Sequence, residues 1–341
     1  MRFTKRTCYL LALFFAGILF GTSAHAQDIH FSQFFEAPLL RNPSLAGIYN
    51  GDIRVQAVYR DQWRSVTDAY RTVSLNGEYK MPVGKGEDFL TLGLQMLYDK
   101  AGTVALTTTH VLPALNFHKS LSATTNRYLS LGFMGGIVQR TIDRSKMTTN
   151  SQYDGMGDGE TFTNNQYMYF DGAVGMSFNT QLNDNVNNNM FVGLAYHHFN
   201  KPKASFYRDP TIGVDPKWVA STGVRFVVTE ASYLTLQGDY SMQGNFRETV
   251  AGAMYGIKLG DDLDKPLYTL HGGAFLRWND AVIPVLKVDY NPFSFSFSYD
   301  VNISKLKTSS QGRGGFEFGV AYIGFLDREN STIKALHCPR F

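Results

Sequence analysis

Cysteine is nearly absent from this chain. Two in 341 residues, Cys8 and Cys338, leave no intramolecular pair once the first is removed with a leader, so no disulfide framework can substitute for a core. Acids and bases nearly balance at a net +3, which excludes the basic footprint of a nucleic-acid binder. No apolar run beyond the amino terminus approaches the ~20 residues a spanning helix needs. What the chain has instead is 14% aromatic residues and 32 glycines, with few segments of helical period.

Residues 1–26 carry the parts of a secretory signal. Arg2, Lys5 and Arg6 precede an apolar run from Tyr9 to Phe20, and Ala24-His25-Ala26 offers small residues for cleavage. The run is too short for a transmembrane anchor, and no lipobox-like cysteine stands beside the cleavage point. The expectation is an exported chain beginning at Gln27.

From Gly51 onward, segments of roughly ten residues alternate in polarity between clusters of Asn, Asp, Gly, Pro and Lys, the signature of an outer-membrane barrel. About fourteen are expected: 52–60, 70–79, 89–98, 104–117, 128–140, 167–178, 189–198, 218–228, 233–242, 248–259, 267–278, 281–290, 293–302 and 315–325. The clearest is Phe293-Ser-Phe-Ser-Phe-Ser-Tyr-Asp-Val-Asn302, whose period of two puts aromatic groups on one face and small polar ones on the other. Apolar rows recur at Leu90, Leu92, Leu94, Met96 and Tyr98, and at Phe316, Phe318, Val320 and Tyr322. The opposite rows hold Arg54, Gln56, Arg60, Glu78, Asp171, Asp239, Lys287, Asp300 and Glu317. A soluble sandwich sends such charges to water, whereas a barrel sends them to a lumen, where acids and bases can pair.

Two further signals favour the barrel. Tyr59, Tyr79, Tyr98, Trp218, Trp278, Tyr290 and Tyr322 lie near strand ends, as interfacial girdles do. The three longest polar connections, about 141–166, 199–217 and 303–314, are the fifth, seventh and thirteenth. All are odd, hence external if the first strand rises from the periplasm. Lumen positions such as Ser296 should then accept a polar replacement more readily than lipid-facing Phe297.

Signals of chemistry are weak. Tyr153 to Glu160 sets acids around glycines, but an EF-hand spacing fails at Met156 and Asn165. His197 and His198 on one strand point to opposite faces and cannot share a metal. No Gly-x-Ser-x-Gly turn supports a hydrolase nucleophile, and Gly312-Arg-Gly-Gly315 lacks the ending of a phosphate loop. Neither an enzyme nor a cofactor is expected.

The segment 27–50 is too apolar for a free tail and too broken by Pro38 and Pro43 for a strand or long helix. Its Asp28-Ile-His-Phe-Ser-Gln-Phe-Phe35, Pro38-Leu39 and Asn42-Pro-Ser-Leu-Ala-Gly47, followed by Arg54-Val55 and Tyr59-Arg-Asp-Gln-Trp63, resemble the opening of the PorP/SprF family of outer-membrane proteins. Cys338-Pro-Arg-Phe341 is similar to that family's terminus. Ile29 and Ser44 depart from the family's usual Pro and Ala. The resemblance implies a barrel working with the type IX secretion system, as part of the secretion and gliding apparatus or as the holder of secreted cargo, such as adhesins, through the cargo's C-terminal domain.

The expected organisation is therefore a signal peptide at 1–26, a periplasmic or plug segment at 27–50, an outer-membrane β-barrel at 51–325 and a periplasmic tail at 326–341. Outer-membrane lipid and either type IX components or a cargo C-terminal domain are the expected partners. His30, Phe31, Phe34, Phe35, Asn42, Pro43, Arg60 and Trp63 are the candidate plug or partner-binding residues. A diffusion channel or uptake porin is the alternative, although mixed inward charges favour a filled lumen over an open one.

Overall fold

A computed structural model describes residues 28–326, apart from 65–67, 85, 123, 154, 156–163, 210, 264–265, 305–306 and 311. Residues 1–26, expected to be a signal peptide, most of the acidic 153–160 loop and Cys338 lie outside the described residues. Fourteen strands form one closed antiparallel barrel. They are β1 Ile53–Gln62, β2 Tyr70–Pro82, β3 Phe89–Ala101, β4 Leu106–Ser120, β5 Arg127–Thr141, β6 Gln166–Gln181 and β7 Asn189–His197. The second half comprises β8 Lys217–Thr229, β9 Ser232–Gln243, β10 Phe246–Leu259, β11 Tyr268–Arg277, β12 Ala281–Tyr290, β13 Phe293–Asn302 and β14 Arg313–Gly324.

Each expected strand is found within a few residues of its place, because a period of two is enforced wherever the two faces meet different surroundings. On β13, Ser294, Ser296, Ser298 and Asp300 are buried while Phe293, Phe295, Phe297 and Tyr299 face out. β1 pairs with β14 from Ile53 opposite Gly324 to Gln62 opposite Gly315, which closes the sheet and leaves no edge. Aromatic pairs mark both rims of the outer wall. Tyr268 stacks on Tyr290 at 5.0 Å at the end where β1 begins, and Tyr196 lies 4.4 Å from Trp218 at the other. The long connections 142–165, 198–216 and 303–312 share the end opposite Ile53 and Gly324, so by the loop-length rule that end is external.

Residues 28–50 occupy the lumen. Two 3-10 turns, Phe34–Glu36 and Pro43–Leu45, flank a single helical turn at Pro38–Arg41. Pro38 and Pro43 each begin a turn, where the missing N–H costs nothing. Asn42 caps the second by accepting from the Ser44 amide at 2.9 Å and the Ser44 hydroxyl at 2.8 Å. The segment is not confined to the mouth where β1 starts, as packing at the periplasmic end implies. It runs the length of the barrel and brings Asp28 to the external rim, because it makes its contacts along the whole wall.

Candidate functional site

The wall that receives this segment is built from the inward rows. Nearest β1, Glu78 on β2 accepts the Gly47 N–H at 2.7 Å and pairs with Arg54 at 2.6 Å. Lys80 donates to the Tyr49 carbonyl at 2.6 Å. Asn116 on β4 donates to the Ser44 and Ala46 carbonyls at 2.7 and 2.8 Å. Glycines let the backbones approach at this level. A Cβ on Gly132 would sit 2.5 Å from Pro43 and Ser44 backbone atoms, and one on Gly175 would sit 1.9 Å from Asn42 Oδ1.

Higher in the lumen the contacts become ionic. Arg41 forks onto Asp239, and Lys287 pairs with Glu36 at 2.6 Å. Glu317 accepts the Ser32 and Gln33 amides at 2.6 and 2.7 Å. Arg60 donates to the His30 carbonyl at 2.6 Å and lies 3.1 Å from Glu317 and 3.3 Å from Asp300. Between these levels Phe34 and Phe35 both lie 5.4 Å from the Phe275 ring, within a cluster of Val250, Met254, Ile283 and Val285. Burying each such ring contributes about 1.5–3 kcal/mol.

At the external rim the Asp28 amide donates to Gln243 at 3.0 Å. Its carboxylate lies 3.4 Å from His198 and 3.5 Å from Lys217. Burial would raise the Asp28 pKa, but the Lys217 charge and the His198 contact outweigh it and hold the carboxyl well below its ordinary value. His198 also bonds Asp171 at 2.8 Å. This corrects the expectation that His197 and His198 face apart. The strand ends at His197, and His198 takes a φ of 55°, which turns its ring inward, so both are buried with ring centroids 6.4 Å apart. Among the described residues no group of three or more His, Cys, Asp or Glu has a metal-holding arrangement.

The candidate residues therefore separate. Phe31, Phe34, Phe35, Asn42 and Pro43 are buried against the wall, and Arg60 is buried within it on β1. His30 and Trp63 instead line a cavity of about 950 Å³ at the external mouth, with Tyr70, Asp99, Arg140 and Phe246. Trp278, read from sequence as a girdle residue, sits in the β11–β12 turn and lines the same cavity. Sequence reasoning missed Asp99, Arg140 and Phe246. Their inward or rim position is fixed by register; Arg140 closed the expected strand 128–140, but Asp99 and Phe246 fell just outside the expected strands 89–98 and 248–259, which the structure extends. At the opposite end a polar pocket of about 480 Å³ is lined by Asn185, Asn187, Tyr233 and Lys258 among others.

A family model described as "Type IX secretion system membrane protein PorP/SprF" matches residues 23–322. No curated protein matches the chain significantly. Among solved structures, the Pseudomonas putida toluene transporter TodX is similar at 9% identity and a TM-score of 0.50, covering 88% of this chain and 99% of that one. The CymD monoaromatic hydrocarbon channel gives 9% and 0.46, over 84% and 92%. CdiB from Acinetobacter baumannii gives 10% and 0.44, over 80% of this chain and 60% of its own length. At such identities the likeness to TodX is one of fold alone, that of an outer-membrane barrel.

Proposed function

Since the chain belongs to the PorP/SprF family of type IX secretion system membrane proteins, we propose that this outer-membrane barrel is a closed, non-enzymatic docking scaffold that holds a secreted cargo, such as a gliding adhesin, through the cargo's C-terminal domain. The observation that carries this reading is the lumen. Residues 28–50 fill it and are fixed by buried charge pairs at Glu36 and Arg41 and by the hydrogen bond from Arg60 to the His30 carbonyl. A conduit needs a continuous aqueous path, whereas a holder needs rigid surfaces. The filled lumen supports the second over the alternative of a diffusion channel.

The test pairs two measurements on one variant. Wild-type protein in planar bilayers should give no steady conductance steps, and a pull-down from solubilised outer membranes should recover a secreted partner. Phe31→Ser/Phe34→Ser/Phe35→Ser should loosen the segment, open the lumen to ions and reduce recovery of that partner. Steady conductance by the wild type, or a leaking triple variant that keeps its cargo at full yield, would favour the porin reading instead.

A further inference from the structure

The lumen wall reads peptide backbone. Gln243 and Glu317 accept main-chain N–H groups of residues 28, 32 and 33. Arg60, Asn116 and Lys80 donate to the main-chain carbonyls of residues 30, 44, 46 and 49. These contacts are to main-chain groups, so the lining suits a peptide chain, and the protein's own amino-terminal segment, with its turns at 34–36, 38–41 and 43–45, already occupies the lumen up to Asp28. The cavity of about 950 Å³ continues the tube outward from Asp28, Ile29 and His30, which form its floor.

The walls of that cavity repeat the same kind of lining. Asp99 and Glu248 carry acceptors, and Arg140 carries donors. Trp63, Phe246 and Trp278 add aromatic faces. A hydrocarbon does not suit charged walls, and a simple ion does not suit walls that carry both signs. An extended peptide carries amide donors, carbonyl acceptors and apolar side chains together, which matches all three kinds of group. The segment below blocks passage, so the peptide must enter from outside.

We propose that the external vestibule is the docking site for an extended peptide segment of the secreted partner, and that the chain's own amino-terminal residues, threaded up the lumen, form its floor. This rests on the docking reading above and adds the place and the form of the ligand. It also puts Asp28 at the cell-surface end of the lumen, opposite the end where β14 finishes.

The test uses the full chain as Ile29→Cys in a Cys338→Ser background. Intact cells are treated with a membrane-impermeant maleimide, with type IX export active or blocked. Cys at 29 should be labelled when export is blocked and protected when it is active. Tyr207→Cys in the β7–β8 connection should label in both states and Asn187→Cys in the β6–β7 turn in neither, which fixes the orientation. Silence at position 29 in both states, with position 207 labelled, overturns the threaded amino terminus. Equal labelling in both overturns the docking site.

Trp63→Ala/Trp278→Ala should lower recovery of the partner about tenfold or more, the effect of removing interface anchors. Ala101→Trp, which fills the cavity without deleting a contact, should act the same way. Both variants are compared only where heat-resistant barrel migration is intact, and full recovery by both overturns the vestibule while leaving the scaffold reading standing. If wild-type protein recovers no secreted partner at all, the scaffold reading itself fails.

Discussion

The two faces of the barrel wall are made by the same strands and obey opposite rules. The outer face exposes Leu131 and Leu286, each at 66%, and its apolar groups are matched to lipid. The inner face buries Arg60, Lys80, Gln95, His118 and Glu317 at 1% or less. In a soluble sandwich the polar row meets water, but here it meets a peptide. The polarity of the lumen thus measures what fills it, and the inner wall behaves like a protein interior whose packing partner is residues 28–50. The outer face tolerates many apolar residues because lipid conforms to them; the inner face has partners at fixed distances.

The sharpest way to break this comparison is to remove one inner charge. Arg60→Ala would take the guanidinium away from Glu317, leave Asp300 with Arg277 at 3.2 Å, and orphan the His30 carbonyl. Removing one partner of a buried pair costs about 3–5 kcal/mol. The expected result is a markedly lower unfolding midpoint in detergent. A midpoint equal to the wild type would mean that Arg277 or water in the lumen compensates the lost charge, and the inner wall would then not behave as a protein interior.

Next in size is the contrast on β13. Phe297→Arg on the lipid face should cost about 2–4 kcal/mol. From the sequence, Ser296→Arg is expected to be mild, as lumen positions accept polarity. The structure reverses that expectation. Ser296 is 3% exposed, and its Oγ stands 2.3 Å from where a Cβ on Gly319 would be, so arginine finds no room, and the nearby Glu36 is already paired with Lys287. Both variants should be harmed, but differently. Phe297→Arg should lose heat-resistant migration, whereas Ser296→Arg should keep it and conduct ions because the segment is displaced. Conductance from the first variant and none from the second would reject the assignment of faces.

The strands were legible because alternation is local, and Phe293 to Asn302 needs only its own ten residues to declare two faces. The side of each long connection followed from counting. The path of residues 28–50 was not legible, because nothing local fixes it. Ser32 meets Glu317 across 285 positions of sequence, and Arg41 meets Asp239 across 198. Its apolar residues follow no period, since they answer to pockets on several strands. The need for a cover over Phe31, Phe34 and Phe35 could be read, but not its location. The vestibule was hidden for a related reason, since Trp278 at a strand end has the same signature whether it faces lipid or the mouth.

The smallest effect expected is local and sharpens the comparison at its upper limit, where the inner wall gives way to solvent. His198 follows the last residue of β7, so its ring is held by contacts and not by the sheet. Burial alone would lower its pKa, but hydrogen bonds to Asp171 and Asp28 outweigh it and raise it to about 9. A histidine whose folded pKa exceeds its unfolded one, near 6.5, stabilises the folded form fully below that lower value and loses the contribution as pH rises through the higher one. Between about pH 6.5 and 9 the hold on Asp28 should therefore weaken progressively, while Lys217 and Gln243 keep part of it. Hydrogen exchange at the amides of residues 28–31, corrected for the intrinsic base-catalysed rate, should show protection falling over this range in the wild type. The amides of residues 44–47, held by Asn116 and Glu78 far from His198, should show no such fall. His198→Gln keeps a polar group but cannot titrate, so its protection at residues 28–31 should be lower at neutral pH and flat with pH. A wild-type profile as flat as that of the variant would show that the upper end of the segment is held by the wall alone.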